Sequence, residues 1–217
     1  GFSENRNALL RNLPVFQAEF WTSKQRAGHT LHEISYRACF KPQLPAFFIE
    51  RLTEKGDWIY DPFMGRGTTL LEARLHGRHV IGNDINPLSC RLIAPRLNPP
   101  SLAEVSQRLE SIVLTSRDTA GHELLVFFSP DTLSELFAWR DYFQWRRQSG
   151  AFDNVDAWIE MVACGRLTGH SPGFFSVYTL PPNQATYPQA QRKINEKRGQ
   201  RPEYRDTKAL IHKKSKQ

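Results

Sequence analysis

A glycine-containing segment, Asp61 to Thr69, separates an apolar run from a run with helical spacing. The apolar run, Trp58 to Tyr60, predicts a β-strand, and Thr68 to Leu75 predicts a helix. A carboxylate and two glycines therefore lie at a strand-to-helix turn, where open α/β sheets bind ligands. Gly65 and Gly67 can adopt positive φ angles and let a ligand approach the backbone. The helix that follows offers free N–H groups to an anionic end of that ligand.

A second short strand is predicted at His79 to Gly82, and an aspartate, Asp84, follows it closely. An acidic residue about 20 positions after a glycine turn is placed to accept hydrogen bonds from ribose hydroxyls. Since Leu70 stands where a third glycine would be, the turn lacks the full dinucleotide-binding pattern. The pattern predicts a nucleoside half-site, although a ligand-free structural turn and a solvated Asp84 are the alternatives.

The turn resembles the Asp-Pro-Phe-x-Gly-x-Gly-Thr-Thr motif of S-adenosylmethionine-dependent DNA amino-methyltransferases, which methylate N6 of adenine or N4 of cytosine. The resemblance implies that the methionine end lies at this turn, with Asp61 orienting its amino group. It also implies that Asp84 holds the ribose and Ile85 lies against the adenine. We expect Phe63 to pack beneath the turn. The cofactor-binding residues implied are Phe40, Lys41, Asp61, Phe63, Gly65, Gly67, Thr68, Thr69, Asp84 and Ile85.

The upstream segment His32 to Pro45 is similar to the tenth motif of the same family, which closes over the cofactor. That similarity places Phe40 and Lys41 near the cofactor, while the alternative is a loop anchored by a buried ring. Pro45 then opens a predicted helix, Ala46 to Leu52. The resemblance covers about residues 31–90.

Size and composition fit one ordinary domain, alone or with an appendage. The chain has 217 residues, 40% of them hydrophobic, which is enough for a packed core. No apolar run approaches the roughly 18 residues of a membrane-spanning helix. Cys39, Cys90 and Cys164 are far apart, so they form neither a metal-binding pair nor a disulfide framework. These features predict a cytoplasmic protein without a metal site.

The positive charge is concentrated at the C-terminal end. Residues 185–217 carry ten Lys and Arg against three Asp and Glu, a net of +7 that equals the net charge of the whole chain. A basic end on a neutral body predicts a polyanionic partner, here DNA. For residues 213–217 we favour a solvated tail. The predicted nucleic-acid-binding residues are Arg192, Lys193, Lys197, Arg198, Arg201 and Arg205.

Beyond the second strand the chain reads as mainly helical. A short helix is predicted at Leu88 to Ile93, and a capping box, Ser101 to Glu104, starts another. The remaining predictions are helices at Asp131 to Arg147, Asp156 to Leu167 and Pro188 to Arg198, and buried strands at Leu124 to Phe128 and Phe174 to Thr179. We divide the chain into a Rossmann-like cofactor-binding part (1–100), a mainly helical insertion or target-recognition part (101–184) and a basic segment (185–217).

The family also needs a catalytic tetrapeptide, Asp/Asn/Ser-Pro-Pro-aromatic, and no segment here fits it. Asn98-Pro99-Pro100-Ser101 lacks the aromatic residue, and Leu180-Pro181-Pro182-Asn183 lacks the polar one. The catalytic residues are therefore unknown. Three interpretations follow: the cofactor-binding part of a longer methyltransferase, a subunit of a split enzyme, or a non-catalytic nucleic-acid-binding protein. For the first we expect an α/β fold of the class I methyltransferase type, with a Rossmann-like sheet that need not be complete and a helical appendage.

Overall fold

The structure is a computed structural model that describes residues 28–32, 34, 39–180 and 186–216. Parts of two sequence interpretations lie outside these residues. They are the middle of the upstream segment (Glu33 and residues 35–38) and the Pro181-Pro182 pair.

Two parallel strands connected by a helix form the only sheet in the described part of the chain. Strand β1 spans Trp58–Asp61 and β2 spans His79–Gly82, with Trp58 opposite His79 and Asp61 opposite Gly82. The connecting helix, α2, spans Thr68–Leu75. The predicted strands and helix are confirmed, and the fold is α/β.

Two further helices flank this unit. Helix α1 spans Gln43–Leu52 and begins earlier than predicted, with Pro42 as its N-cap residue. Helix α3 spans Pro87–Leu97, where the Asn86 side chain caps Leu88 N–H. It is longer than the predicted helix because Pro95 lies inside it without ending it. A small core of Met64, Leu70 and Ile93 joins α2 and α3 beneath the sheet.

The rest of the described chain is helical and surrounds a larger core. The helices are α4 (Leu102–Ser111), α5 (Pro130–Gln148), α6 (Asn154–Arg166), α7 (Pro188–Arg198) and α8 (Thr207–Ser215). The core is built from α3 to α6 and α8, and Leu133, Trp139, Ile159 and Ile211 are almost completely buried in it. The predicted capping box is present, since Ser101 Oγ accepts from Glu104 N–H and Glu104 accepts from Ser101 N–H.

The two strands predicted in the helical part are wrong. Residues Glu123–Val126 form a 3-10 helix. In the second segment, Tyr178 makes an isolated bridge with Gly169 and no extended strand forms. In both runs a side-chain amide bonds to a backbone carbonyl: Asn195 Nδ2 donates to the Val126 carbonyl (2.8 Å) and Gln191 Nε2 to the Tyr178 carbonyl (2.9 Å).

The prediction that residues 213–217 form a solvated tail is wrong for residues 213–216, the part of it that the structure describes. Helix α8 runs to Ser215 and is capped by Asp206, which accepts from Ala209 N–H. Ile211 is fully buried, and Trp158 Nε1 donates to Ser215 Oγ (3.0 Å). Separately, no helix among the described residues is both long and apolar enough to cross a membrane.

Candidate functional site

The structure brings the carboxyl ends of β1 and β2 together. Asn83 N–H donates to the Asp61 carbonyl (2.9 Å), and Met64 N–H donates to the Asn83 carbonyl (3.0 Å). The glycine turn after β1 and the acidic loop after β2 therefore lie side by side. A ligand that contacts one of them is within reach of the other.

Asp84 is held directly against the glycine turn. Its Oδ2 accepts from Gly65 N–H and its Oδ1 from Asn86 N–H, both at 2.8 Å. The Asn86 and Gly65 amides, with the Ser89 hydroxyl, lower the pKa of Asp84 below its ordinary value. The carboxylate is therefore ionised at neutral pH. Three of the roughly four lone-pair sites of the carboxylate are thus engaged, and about one remains to accept from a ligand hydroxyl.

The two glycines of the turn serve different purposes. Both have positive φ, 51° at Gly65 and 79° at Gly67. A Cβ on Gly67 would lie 1.2 Å from Ile93 Cδ1, so α3 already occupies the space beside this residue. Gly67 is thus required for packing as the N-cap residue of α2. The backbone of Gly65 faces Asp84.

Two large apolar side chains project from this edge of the sheet. Phe63 is 86% exposed, and Ile85 in the neighbouring loop is fully exposed. The expectation that Phe63 packs beneath the turn is therefore wrong. Its backbone N–H donates to Asp61 Oδ1 (3.0 Å), which turns the chain so that the ring points outward. Exposed rings and branched side chains beside a polar turn provide apolar contact area for a ligand.

The hydroxyl residues at the start of α2 differ in exposure. Thr68 is buried, and its Oγ1 accepts from Arg66 Nε (3.1 Å). Thr69 is half-buried. Phe40 is 43% exposed and Lys41 is exposed, just before α1. Among the hydrogen bonds between described residues, none joins Phe40 or Lys41 to the turn.

The contact between the upstream segment and the turn instead involves arginines that sequence reasoning missed. Arg66 Nη1 donates to the carbonyls of His32 (3.3 Å) and Ile34 (3.0 Å). Arg96 donates to the carbonyls of Leu31 (2.9 Å) and Arg66 (2.5 Å). Burial, with the nearby Arg66 charge, lowers the pKa of Arg96 to about 10. In the sequence, the position of Arg66 between Gly65 and Gly67 was the only sign of this contact.

A buried pair fixes the same segment to α2. His32 Nε2 lies 2.6 Å from Glu72 Oε1, and both side chains are almost fully buried. His32 is therefore tied to α2 by this pair, and both His32 and Ile34 are tied to the turn by Arg66.

Most of the predicted nucleic-acid-binding residues are exposed. Arg192, Lys193, Lys197, Arg198 and Arg201 are exposed, and Arg205 is half-buried with its guanidinium 3.7 Å from Glu203. The opposite side of α7 is anchored by amide side chains. Gln191 and Gln200 both donate to the Tyr178 carbonyl, and both bond to Asn195 Oδ1.

Comparison with known proteins links the N-terminal part of the chain to one family. Residues 7–95 match the family described as DNA methylase. Type II methyltransferase M.MjaII of Methanocaldococcus jannaschii is 37% identical over 93 residues, which are 43% of this chain and 17% of that protein. Type II methyltransferase M.MvaI of Kocuria varians is 34% identical over 100 residues, 45% of this chain and 22% of that protein. Orphan methyltransferase M.BamHII of Bacillus amyloliquefaciens is 41% identical over 81 residues, which are 32% of this chain and 28% of that protein.

The chain thus matches only 17–28% of the length of these curated relatives. No solved structure shows a significant match.

Proposed function

We propose, from the match of residues 7–95 to the family described as DNA methylase, that the chain is the cofactor-binding part of a DNA amino-methyltransferase. The cofactor is S-adenosylmethionine, and the target is the exocyclic amino group of adenine or cytosine. Strands β1 and β2 are then the first two strands of a Rossmann-like sheet. The observation that carries the proposal is the hydrogen bond between Asp84 and Gly65, which joins the two strand ends into one polar edge.

The geometry suggests how the cofactor lies on this edge. Asp84 accepts from a ribose hydroxyl through its remaining lone pair, and Ile85 covers one face of the adenine. The methionine end lies over the glycine turn, where Asp61 and the start of α2, with Thr68 and Thr69, are close by. Phe63 adds apolar contact area. Phe40 and Lys41 are the further contacts that the family resemblance implies.

Methyl transfer itself also requires the catalytic tetrapeptide of the family, and no segment among the described residues fits its pattern. The amino nitrogen must form a bond to the methyl carbon as the sulfur–carbon bond breaks, and it must lose a proton. Polar acceptors aim its lone pair, and an aromatic ring stacks on the base taken out of the helix. Asn98 precedes Pro99 and Pro100 and is the C-cap residue of α3, where its backbone carbonyl accepts from Asn154 Nδ2 (2.6 Å).

The sheet also presents a face suited to a further polypeptide. Trp58 and Tyr60 alternate along β1 opposite His79 and Ile81, so all four lie on one face. Trp58 is 65% exposed, Tyr60 60% and Ile81 51%. Parallel sheets are normally covered on both faces. We therefore expect a partner polypeptide, or a further part of the same polypeptide, to pack on this face and to carry the catalytic motif. DNA is the proposed substrate, contacted by the basic residues of α7.

Cofactor binding is tested by titrating the purified chain with S-adenosylmethionine and with its demethylated product in a calorimeter. We expect both to bind and Asp84→Ala to weaken them by about 1.5–3 kcal/mol, the range for hydrogen bonds to a charged group. The matched control is Asp118→Ala, because Asp118 likewise accepts from the N–H two residues on, that of Ala120, far from the strand ends. Absence of heat with either ligand would remove the proposal.

Labelled cofactor and duplex DNA test whether the catalytic groups lie outside this chain. We expect the 217-residue chain alone to transfer no methyl group. Transfer above the background of a Gly65→Val variant would show that the catalytic groups are present after all.

A further inference from the structure

A buried arginine of α3, Arg96, connects three parts of the chain around the candidate site. Its Nε donates to the Leu92 carbonyl within α3 (2.6 Å), its Nη1 to the Leu31 carbonyl (2.9 Å) and its Nη2 to the Arg66 carbonyl in the glycine turn (2.5 Å). The side chain is 2% exposed, so it does not reach a ligand on the open edge of the sheet. Any effect of Arg96 on that edge therefore acts through the backbone that it binds.

The peptide group between Arg66 and Gly67 is held at both of its polar atoms. Arg96 binds the carbonyl oxygen, and the N–H donates to the Met64 carbonyl (2.6 Å). Gly65 and Gly67 flank this stretch with positive φ angles, and glycine places few steric limits on the rotation of neighbouring peptide groups. A turn with this freedom needs hydrogen-bond partners to fix its orientation, and Arg96 supplies one of them.

The orientation of this peptide decides what the start of α2 presents to a ligand. Gly67 is the N-cap residue of α2, and no side chain among the described residues caps the helix. The first N–H groups of α2 are therefore left for the carboxylate at the methionine end of the cofactor. The Arg66 carbonyl is meanwhile bound to the buried guanidinium of Arg96. A released carbonyl is free to turn toward the ligand, where its partial negative charge repels that carboxylate.

The side chain of Arg66 makes a second connection to the upstream segment. Its Nη1 donates to the carbonyls of His32 (3.3 Å) and Ile34 (3.0 Å), whereas Arg96 joins the Arg66 carbonyl to that of Leu31. The two connections close a ring that runs through both arginines and the backbone of residues 31 and 32. Separating the segment from the turn requires both connections to break, so each arginine supports the contact made by the other.

We propose that Arg96 is a positioning residue for S-adenosylmethionine and does not itself touch the cofactor. It holds the peptide between Arg66 and Gly67 in the orientation that leaves the first N–H groups of α2 to the cofactor. It also fastens the start of the upstream segment beside them. This inference rests on the proposed function, and it adds a residue that lies outside both the glycine motif and the strand-tip edge.

Arg78 provides a matched control for Arg96. It is 7% exposed, and its guanidinium also donates to backbone carbonyls, those of Ile49, Thr53 and His76. It directly precedes β2, at the end of the sheet opposite the candidate site. Both arginines hold backbone carbonyls from a buried position, but only Arg96 binds the glycine turn.

The test is calorimetric titration of Arg96→Lys and Arg78→Lys with S-adenosylmethionine. Lysine keeps the positive charge, but its compact ammonium group lacks the planar fork that spans several carbonyls. We expect Arg96→Lys to bind at least about tenfold more weakly than the unchanged chain, and Arg78→Lys to bind within about twofold of it. Equal affinities of the two variants would overturn the proposal, because loss of a buried arginine would then act only through general stability.

Amide hydrogen exchange gives a readout that a purely structural role does not change. Coupling between two sites is reciprocal, so cofactor binding should slow exchange at residues 30–32 and 34 in the unchanged chain and in Arg78→Lys. We expect this protection to be smaller in Arg96→Lys, where the segment is no longer fastened to the turn. Equal protection in the two variants would overturn the proposal.

A measurement on the unchanged chain covers the case in which Arg96→Lys does not fold. Nitrogen-15 NMR follows the exchange of guanidinium protons with solvent. We expect S-adenosylmethionine to slow this exchange at Arg96, because the bound cofactor steadies the turn around it, and to leave the exchange at Arg78 unchanged. The same response at both arginines would overturn the proposal.

Failure of this inference is distinguishable from failure of the proposed function. If the unchanged chain binds no S-adenosylmethionine, both are overturned together. If the unchanged chain binds the cofactor and Arg96→Lys binds it equally well, the proposed function stands and the positioning role of Arg96 is overturned.

Discussion

At the residue scale, the glycine turn shows that two residues of one motif are constrained for different reasons. Gly65 and Gly67 both have positive φ; the Gly65 amide binds Asp84, whereas a Cβ on Gly67 would enter space filled by Ile93 of α3. Sequence patterns identify both as turn glycines, because positive φ is a local property. The contact with Ile93 depends on how α3 packs on α2, which the sequence of the turn does not contain.

A matched pair of substitutions separates these two constraints. Gly77 has nearly the same φ as Gly67, 78° against 79°, but a Cβ there would make an ordinary contact with Lys55 at 3.6 Å. We expect Gly77→Ala to lower the free energy of unfolding by about 1–2 kcal/mol from backbone strain. Gly67→Ala should cost a further 1–3 kcal/mol, roughly, from overpacking against Ile93. Urea denaturation measures both, and equal destabilisation of the two variants would contradict the packing role of Gly67.

At the element scale, the upstream segment depends on the buried pair of His32 and Glu72. His32 Nδ1 has no hydrogen-bond partner among the described residues, so Glu72→Ala would remove the one hydrogen bond that the structure shows for this buried imidazole. We expect the free energy of unfolding to fall by about 1–3 kcal/mol, with faster amide hydrogen exchange at residues 30–34.

The control for this prediction is Glu50→Ala. Glu50 lies 3.2 Å from His76 but is about half exposed, so its removal should cost less than about 1 kcal/mol. If both variants are destabilised to the same extent, the buried pair does not hold the segment.

The N-cap of α6 predicts a pH dependence. Burial raises the pKa of Asp153, but hydrogen bonds from Arg108 and from Asp156 N–H outweigh it, and the pKa falls to about 2. Because the folded-state pKa lies below the ordinary 3.8, the carboxylate stabilises the fold fully above that ordinary value and loses this effect as the pH falls toward the folded-state pKa.

Asp153→Asn should therefore lower the free energy of unfolding at neutral pH by about 1 kcal/mol, since the side chain is partly exposed and solvent screens it. The difference from the unchanged chain should shrink as urea denaturation is repeated between about pH 4 and about pH 2.5. A difference that stays constant over this range would contradict the assignment.

Elements with a local signature were predictable from sequence, and those that depend on distant partners were not. Both strands, α2 and α7 follow from apolar runs and capping signals, and they lie where predicted. The apolar run at 124–128 has strand character but no strand to pair with, so it forms a 3-10 helix held by Asn195. Helix α8 was missed because its basic residues suggested a solvated tail. Its signal was the Asp206 N-cap followed by Leu210 and Ile211.

For the candidate site, the motif located the strand ends but not the arginines that bind the upstream segment. Arg66 and Arg96 act through backbone carbonyls of residues 31, 32 and 34. Carbonyls belong to every residue, so no sequence pattern marks them as partners.

At the scale of the whole molecule, the basic end is integrated into the fold and is not an appended tail. Gln191, Asn195 and Gln200 anchor α7 to Tyr178 and to the Val126 carbonyl, and Ile211 of α8 is fully buried in the larger core. Deleting residues 185–205 would therefore disturb packing as well as charge, so weaker DNA binding after such a deletion would carry no information about the residues that touch DNA. Neutralising exposed side chains changes the charge alone.

Lys193 and Lys197 are one helical turn apart and both exposed on α7. We expect Lys193→Gln with Lys197→Gln to weaken binding to duplex DNA of any sequence, because phosphate contacts carry no sequence information. The slope of log affinity against log salt should become shallower by about 0.9 for each phosphate that is no longer neutralised, up to roughly 1.8. The control replaces Lys55 and Arg74, which are exposed beside the β1–β2 unit, with glutamine and removes the same charge. Equal slopes for the two double variants would mean that net charge alone attracts DNA and that α7 makes no defined contact.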